Sequence, residues 1–191
     1  FSSSSYQPNN PEEPKMEKVF SILCVSHTDT CRGPLMKFAV ERYFAKSGMS
    51  VNVQSAAMIQ VTINEKYIEG GASELINDQP AVDPVIEMLS ELGFGAFQHL
   101  SCSIGKLPEG CNLNAFDLII CADSKKAQVI HEKYGAPKDR IAVLNPHDDE
   151  ALDGISCPHP SLERDDYDTC LMEIAYHVEN ILADRFQRQL A

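Results

Sequence analysis

The chain has 191 residues, of which 43% are hydrophobic and 23% are charged, a composition typical of an ordinary globular domain with a sizeable core. Its 16 basic and 28 acidic side chains give a formal net charge of −12, and a field of that sign repels nucleic acids and anionic membranes. From this charge we expect no nucleic-acid binding. No apolar run approaches the roughly 18 residues that cross a bilayer, so we also expect no direct membrane insertion.

The predicted elements alternate between strand and helix from Lys18 onwards. In chain order they are a strand at Val19–Val25, a helix at Pro34–Ser47, a strand at Ser50–Ser55, a loop at Met58–Gln79, a helix at Pro84–Leu92, a strand at Phe116–Ala122, a helix at Ser124–Tyr134 capped by Ser124, a strand at Arg140–Leu144 and a helix at Asp166–Gln189. Strands separated by helices with short links indicate a parallel sheet covered on both faces. The sequence therefore predicts an α/β protein with three layers, α/β/α, around about four parallel strands.

The loop between the first strand and the first helix is the strongest candidate site. Backbone N–H groups at a helix N-terminus attract anions, and the helix dipole adds positive potential. An arginine near that terminus can hold two phosphate oxygens at once. The predicted phosphate-binding loop consists of Ser26, His27, Thr28, Asp29, Thr30, Cys31, Arg32 and Gly33.

This loop resembles the phosphate-binding loop of the low-molecular-weight tyrosine phosphatases, C-x-G-N-x-C-R-S-P, which lies between the first strand and first helix of that family. Three further stretches correspond in the same order. Ser55-Ala56 resembles the family's Ser-Ala-Gly, Gln79 to Pro84 its G-x-P-x-D-P helix start, and Phe116 to Asp123 its F-D-x-I-x-C-M-D strand. The resemblance covers most of residues 18–185 and implies the three-layer fold of the family.

Cys31 and Arg32 match the family's loop pattern, but four other positions of the loop differ from it. Ser26 occupies the position of the nucleophilic cysteine, and a hydroxyl is far less acidic than a thiol. His27 is the one obvious base nearby, but adjacent residues rarely face each other in such a loop. The family's Gly, Asn and Ser are here Thr28, Asp29 and Gly33. Thr28 would be strained at a positive φ, and Asp29 would bring negative charge close to a phosphate.

The general acid of the family is also missing. It belongs to an Asp-Pro pair before the last helix, and its position falls on Cys157 or His159, depending on a one-residue gap. His159 could donate a proton, although a solvated loop histidine is the simpler interpretation. An engineered Cys-to-Ser change would explain Ser26 alone, whereas the other departures favour natural loss.

We therefore predict a catalytically inactive phosphatase-like protein that acts as a binding or structural subunit of a protein assembly. One alternative is a binder of phosphate or phosphotyrosine without turnover. Another is an active tyrosine phosphatase, either with an engineered Ser26 or as a weak hydrolase with Ser26 as nucleophile and His159 as acid.

The seven cysteines predict neither a disulfide framework nor a metal site, because their number is odd and no C-x-x-C pair occurs. We expect a reducing compartment, no metal, no cofactor, and thiols that are mostly small buried groups. In the stretch from His99 to Cys102 we expect a core cysteine beside a surface histidine.

Residues 1–17 are predicted to form an extended tail ahead of a domain at residues 18–191, because Ser, Pro, Asn and Glu offer little to bury. We expect a protein partner to contact this tail. A Phe followed by serines resembles the start left when a plastid leader is removed, so the expected compartments are the plastid and the cytoplasm.

Overall fold

The computed structural model describes residues 18–94, 98–107, 112–149 and 153–186. Its strands are β1 Phe20–Ser26, β2 Val51–Ala57, β3 Gln60–Ile63, β4 Lys66–Glu69, β5 Leu118–Cys121 and β6 Ile141–Val143. Its helices are α1 Arg32–Ser47, α2 Asp83–Glu91, α3 Ser124–Tyr134 and α4 Arg164–Phe186. The predicted tail at residues 1–17 lies outside the described residues.

The central sheet has four parallel strands in the order β2-β1-β5-β6, which confirms the predicted α/β class. Strand β1 pairs with β2 from Phe20 to Ser26 and with β5 from Ile22 to Val25. The chain leaves β1 towards β2 on one side and later returns to β5 on the other. The loop after β1 therefore lies at a topological switch point, where open α/β sheets bind their ligands.

Side chains of β1 alternate between two buried clusters, one on each face of the sheet. Ile22 and Cys24 belong to the cluster that includes residues of α1, α2 and α4. Leu23 and Val25 belong to the cluster that includes Val129 of α3. Because both faces are covered, β1 is apolar from Ile22 to Val25, as a central parallel strand requires. None of the helices in the described ranges is long and apolar enough to cross a membrane.

A hairpin occupies part of the stretch that was predicted to be a loop. Strands β3 and β4 pair antiparallel, and their turn places Asn64 and Glu65 at φ values of 50° and 62°. The hairpin lies against α3, where the Lys126 ammonium donates to Gln60 Oε1 at 2.6 Å. The prediction failed here because four-residue strands with exposed Val61 and Ile63 carry little apolar pattern.

The cap of α3 is also corrected. Asp123, not Ser124, is the N-cap residue, and its side chain accepts a hydrogen bond from the Lys126 backbone N–H at 3.0 Å. Both residue types favour this position. Ser124 is already the first residue of the helix, so the cap falls on Asp123. The predicted end of α1 is confirmed, since Gly48 follows the helix at a φ of 66°.

Candidate functional site

The loop after β1 is held by its carbonyl groups. Ser26 O accepts from Met58 N at 2.9 Å, Thr30 O accepts from Val82 N at 2.9 Å, and Asp29 O contacts His99 Nε2 at 2.6 Å. In a trans peptide the next N–H points opposite to the carbonyl. Because the scaffold holds these carbonyls from outside, the N–H groups that follow them point towards the concave side of the loop.

Helix α1 adds positive potential at the same place. Its N-cap residue, Cys31, makes no side-chain capping hydrogen bond, and its first turn has no acidic residue. The first N–H groups of the helix have no partner within it and carry the positive end of the dipole. Arg32 Nη1 donates to Ile155 O at 2.8 Å, which uses one of the five N–H groups of the guanidinium.

The loop forms one wall of a cavity of about 810 Å³. Ser26, only 1% exposed, lies at its base, whereas Leu75 and Leu162 at its edge are 79% and 91% exposed. The predicted site residues that line the cavity are Ser26, His27, Thr28, Thr30, Cys31, Arg32, Cys157 and His159. The structure thus brings Ser26 and both candidates for the acid position to one cavity.

Asp29 does not line this cavity, contrary to the expectation that its charge would oppose a phosphate. Its side chain is fully buried behind the loop. Burial raises the pKa of the Asp29 carboxyl to about 7, against the opposing effects of Ser55, the Cys102 N–H and Lys37. Asp29 is also the residue of the loop whose backbone has a positive φ, at 58°. Asp tolerates this conformation better than a β-branched residue does. Thr28 has no positive φ, so the strain expected there is absent.

The Asp29 carboxyl explains the glycine at position 33. A Cβ atom on Gly33 would lie 2.1 Å from Asp29 Oδ1 and 3.2 Å from Ser26 Oγ. No side chain fits there while Asp29 keeps its place, so the replacements of the family's Asn and Ser are physically coupled. Sequence comparison with the loop pattern showed both changes but not their contact.

His99 is a second residue whose role was predicted wrongly. It is buried, at 8% exposure, and its Nε2 lies 2.6 Å from Asp29 O and 3.7 Å from Asp29 Oδ1. Burial lowers the pKa of this imidazole, which favours the neutral form. His99 therefore fixes the loop from behind. No sequence pattern links positions 29 and 99, which are 70 residues apart.

Cys157 and His159 both line the cavity but differ in burial. Cys157 is half-buried and contacts the Cys31 thiol, whereas His159 is exposed at the edge. The hydrogen bond from Cys31 lowers the pKa of the Cys157 thiol, helped by the His159 N–H and by the charge of Arg32. A thiol that loses its proton readily is a poor proton donor at neutral pH. Cys157 is thus a poor candidate for the acid, whereas His159, the other candidate, also lines the cavity.

No family model matches the sequence. Among curated proteins, no relative matches it either.

Solved structures match over most of the chain. A mutant of YwlE arginine phosphatase with a phosphorylated active site serine has a TM-score of 0.65 at 19% identity, covering 90% of this chain and 100% of that chain. A low molecular weight protein tyrosine phosphatase from T. tengcongensis has a TM-score of 0.64 at 17% identity, covering 86% and 99%. Vibrio vulnificus Wzb, in complex with benzylphosphonate, has a TM-score of 0.63 at 14% identity, covering 87% and 99%. The chain therefore has the fold of the low molecular weight protein tyrosine phosphatases, as the loop and strand motifs predicted.

Proposed function

We propose that this chain is a pseudophosphatase that binds a phosphorylated side chain of a protein partner at residues 26–33 and does not release phosphate catalytically. The observation that carries the proposal is the burial of Asp29 behind the loop. Because that carboxyl does not line the cavity, the groups of the loop that face a phosphate are its N–H groups, the start of α1 and Arg32.

The shape of the cavity supports a ligand larger than inorganic phosphate. A volume of about 810 Å³ lies within the range of small-molecule sites. The exposed Leu75 and Leu162 at the edge offer apolar contacts to the side chain that carries the phosphoryl group and to its neighbours. A partner protein that presents such a side chain fits the proposed role as a binding subunit.

The lack of turnover follows from the two degenerate positions. Ser26 replaces a thiol, and Cys157 or His159 stands where the family has its acid. The solved structures support binding by analogy, because Wzb binds benzylphosphonate in this fold and the YwlE mutant carries a phosphoryl group on its active site serine.

Benzylphosphonate tests the proposal, because it resembles a phosphorylated side chain and cannot be hydrolysed. At 100 times its dissociation constant, a ligand of the folded state stabilises it by about 2.7 kcal/mol, which a thermal-shift titration detects. Arg32→Ala should abolish the shift. Arg42→Ala, an exposed position on the same helix, should leave it unchanged.

A phosphatase assay completes the test. Wild type should show no multiple turnover of p-nitrophenyl phosphate, because Ser26 lacks the thiolate nucleophile. The Ser26→Cys variant should show none with phosphotyrosine, whose phenolate needs a proton on leaving. Absence of any thermal shift with phosphate, vanadate or benzylphosphonate would refute phosphoryl binding. Sustained turnover by the wild type would refute the pseudophosphatase assignment.

A further inference from the structure

The carboxyl of Asp29 has an oxygen without a partner. Oδ2 accepts the Cys102 N–H at 3.1 Å, whereas Oδ1 has no hydrogen-bond partner within residues 18–94, 98–107, 112–149 and 153–186. Buried polar atoms are nearly always satisfied, and the exceptions call for an explanation such as a catalytic role. The side chain is fully buried, so bulk water does not satisfy this oxygen.

Oδ1 borders the same small space as the Ser26 hydroxyl. Both atoms surround the point where a Gly33 Cβ would stand, at 2.1 Å from Oδ1 and 3.2 Å from Ser26 Oγ. The glycine leaves this space open. Ser26 Oγ accepts the Asp29 backbone N–H at 3.2 Å, so its own proton is available for another acceptor. It does not donate to Oδ1 in this structure, and a proton transfer requires the hydroxyl to turn towards that oxygen across the space left by Gly33.

We infer that Asp29 is the proton acceptor of Ser26 and that Ser26 takes a phosphoryl group from the bound ligand, forming a lasting phosphoserine. The inference rests on the proposed phosphoryl-binding function and adds a single covalent step to it. Asp29 contributes twice, since its Oδ1 receives the proton and its N–H stabilises the charge that develops on Ser26 Oγ.

The step balances without a cofactor. Ser26 Oγ forms a bond to phosphorus, its proton passes to Asp29 Oδ1, and the bond from phosphorus to the leaving group breaks. The electron pair of that bond stays on the leaving group. With a phosphoramidate, the nitrogen takes a proton from water and leaves as an amine, so no protein acid is needed. The missing acid therefore favours donors of this class.

The product persists because the reverse and hydrolytic steps are slow. An alkoxide is a much poorer leaving group than a thiolate, so phosphoserine resists the hydrolysis that a phosphocysteine undergoes. Cys157, whose pKa is lowered by Cys31, supplies no proton to Ser26 Oγ at neutral pH. Each chain would thus react once with a phosphoryl donor and keep the phosphoryl group on Ser26.

Several groups around Asp29 set the pH at which it can accept a proton. His99 lies 3.7 Å from Oδ1, Ser55 and the Cys102 N–H contact the carboxyl, and Lys37 on α1 favours its charged form. Burial dominates and raises the pKa of Asp29 to about 7. Phosphoserine formation should therefore accelerate as the pH rises through about 7.

The experiment uses inorganic phosphoramidate as the donor and the intact mass of the protein as the readout. Wild type should gain one phosphoryl group, located on Ser26 by peptide mapping, and Ser26→Ala should gain none. Asp29→Asn keeps the shape of the side chain but removes the base, so we expect the rate to fall by about 10²–10⁴-fold.

Each result separates this inference from the function it builds on. Stabilisation by benzylphosphonate without phosphoserine formation overturns the covalent step and leaves phosphoryl binding intact. Phosphoserine formation at the same rate in Asp29→Asn, or a wild-type rate that does not change between pH 6 and pH 8, overturns the role of Asp29. The wild-type pH profile decides the second point even if the variant fails to fold.

Discussion

Asp29 is a carboxyl group with no exposed surface, and burial makes its ionisation dependent on folding. Its pKa is about 7 in the folded chain against 3.8 for an ordinary aspartate. Between these values the folded state holds a proton that the unfolded state has lost. The contribution of Asp29 to stability is therefore fully present below about pH 4 and is lost as the pH rises through about 7.

The first prediction at the residue scale concerns Asp29→Asn. The amide does not ionise, so the variant does not lose stability as the pH rises through about 7, whereas the wild type does. Its free energy of unfolding relative to wild type should increase from pH 4 to pH 8 by up to about 4 kcal/mol, at 1.36 kcal/mol per pKa unit. Urea denaturation at both pH values measures the difference. Equal differences at the two pH values would show that Asp29 ionises normally.

Gly33 supplies the second prediction at this scale. A Cβ there would lie 2.1 Å from Asp29 Oδ1, so Gly33→Ala must displace the carboxyl and should cost about 1–3 kcal/mol. In an Asp29→Ala background the cost should largely disappear, because the obstructing atoms are gone. Urea denaturation of both single variants and of the double variant gives the coupling energy.

The matched control for Gly33 is Gly105→Ala. A Cβ on Gly105 meets nothing within 4 Å, so the change should alter stability by less than about 0.5 kcal/mol. Additive effects of Gly33→Ala and Asp29→Ala would contradict the contact.

Helix α3 is anchored to the sheet by a buried ion pair at its start. Asp123 caps the helix, and its carboxylate lies 3.2 Å from the Lys126 ammonium, which is only 1% exposed. Lys126 in turn donates to Gln60, so one ammonium joins the end of β5, helix α3 and the hairpin. The element is thus held by polar contacts that water does not screen.

At the scale of this element we predict that Asp123→Ala is strongly destabilising. The change removes the cap and leaves the Lys126 ammonium without its carboxylate, so the loss should be about 3–5 kcal/mol in urea denaturation. Asp168→Ala is the control, because Asp168 forms an exposed pair with Arg164 on α4 and should cost less than about 1 kcal/mol. Similar losses in the two variants would contradict the importance of burial.

At the scale of the molecule, the loop is held by segments that are far apart in sequence. Met58 follows β2, Val82 precedes α2 and His99 follows it, and each contacts the loop. The shape of the loop therefore depends on the complete fold. A chain with a net charge of −12 concentrates positive potential there through backbone N–H groups, the start of α1 and Arg32.

The sequence by itself determined the order of the main strands and helices, because apolar periodicity and helix-ending glycines are local signals. It also predicted a phosphate-binding loop between β1 and α1, and replacements at Ser26 and at the acid position that stay predictions. It did not predict the hairpin of β3 and β4, whose short, half-exposed strands carry little pattern.

Only the tertiary structure decided what the replaced residues do. Asp29 lies behind the loop and not in the cavity, His99 is buried against it, and Gly33 is the residue that leaves room for the carboxyl. These facts depend on contacts between residues up to 73 positions apart, and on which way a side chain turns. Both are set by packing around the loop, and no local pattern encodes them.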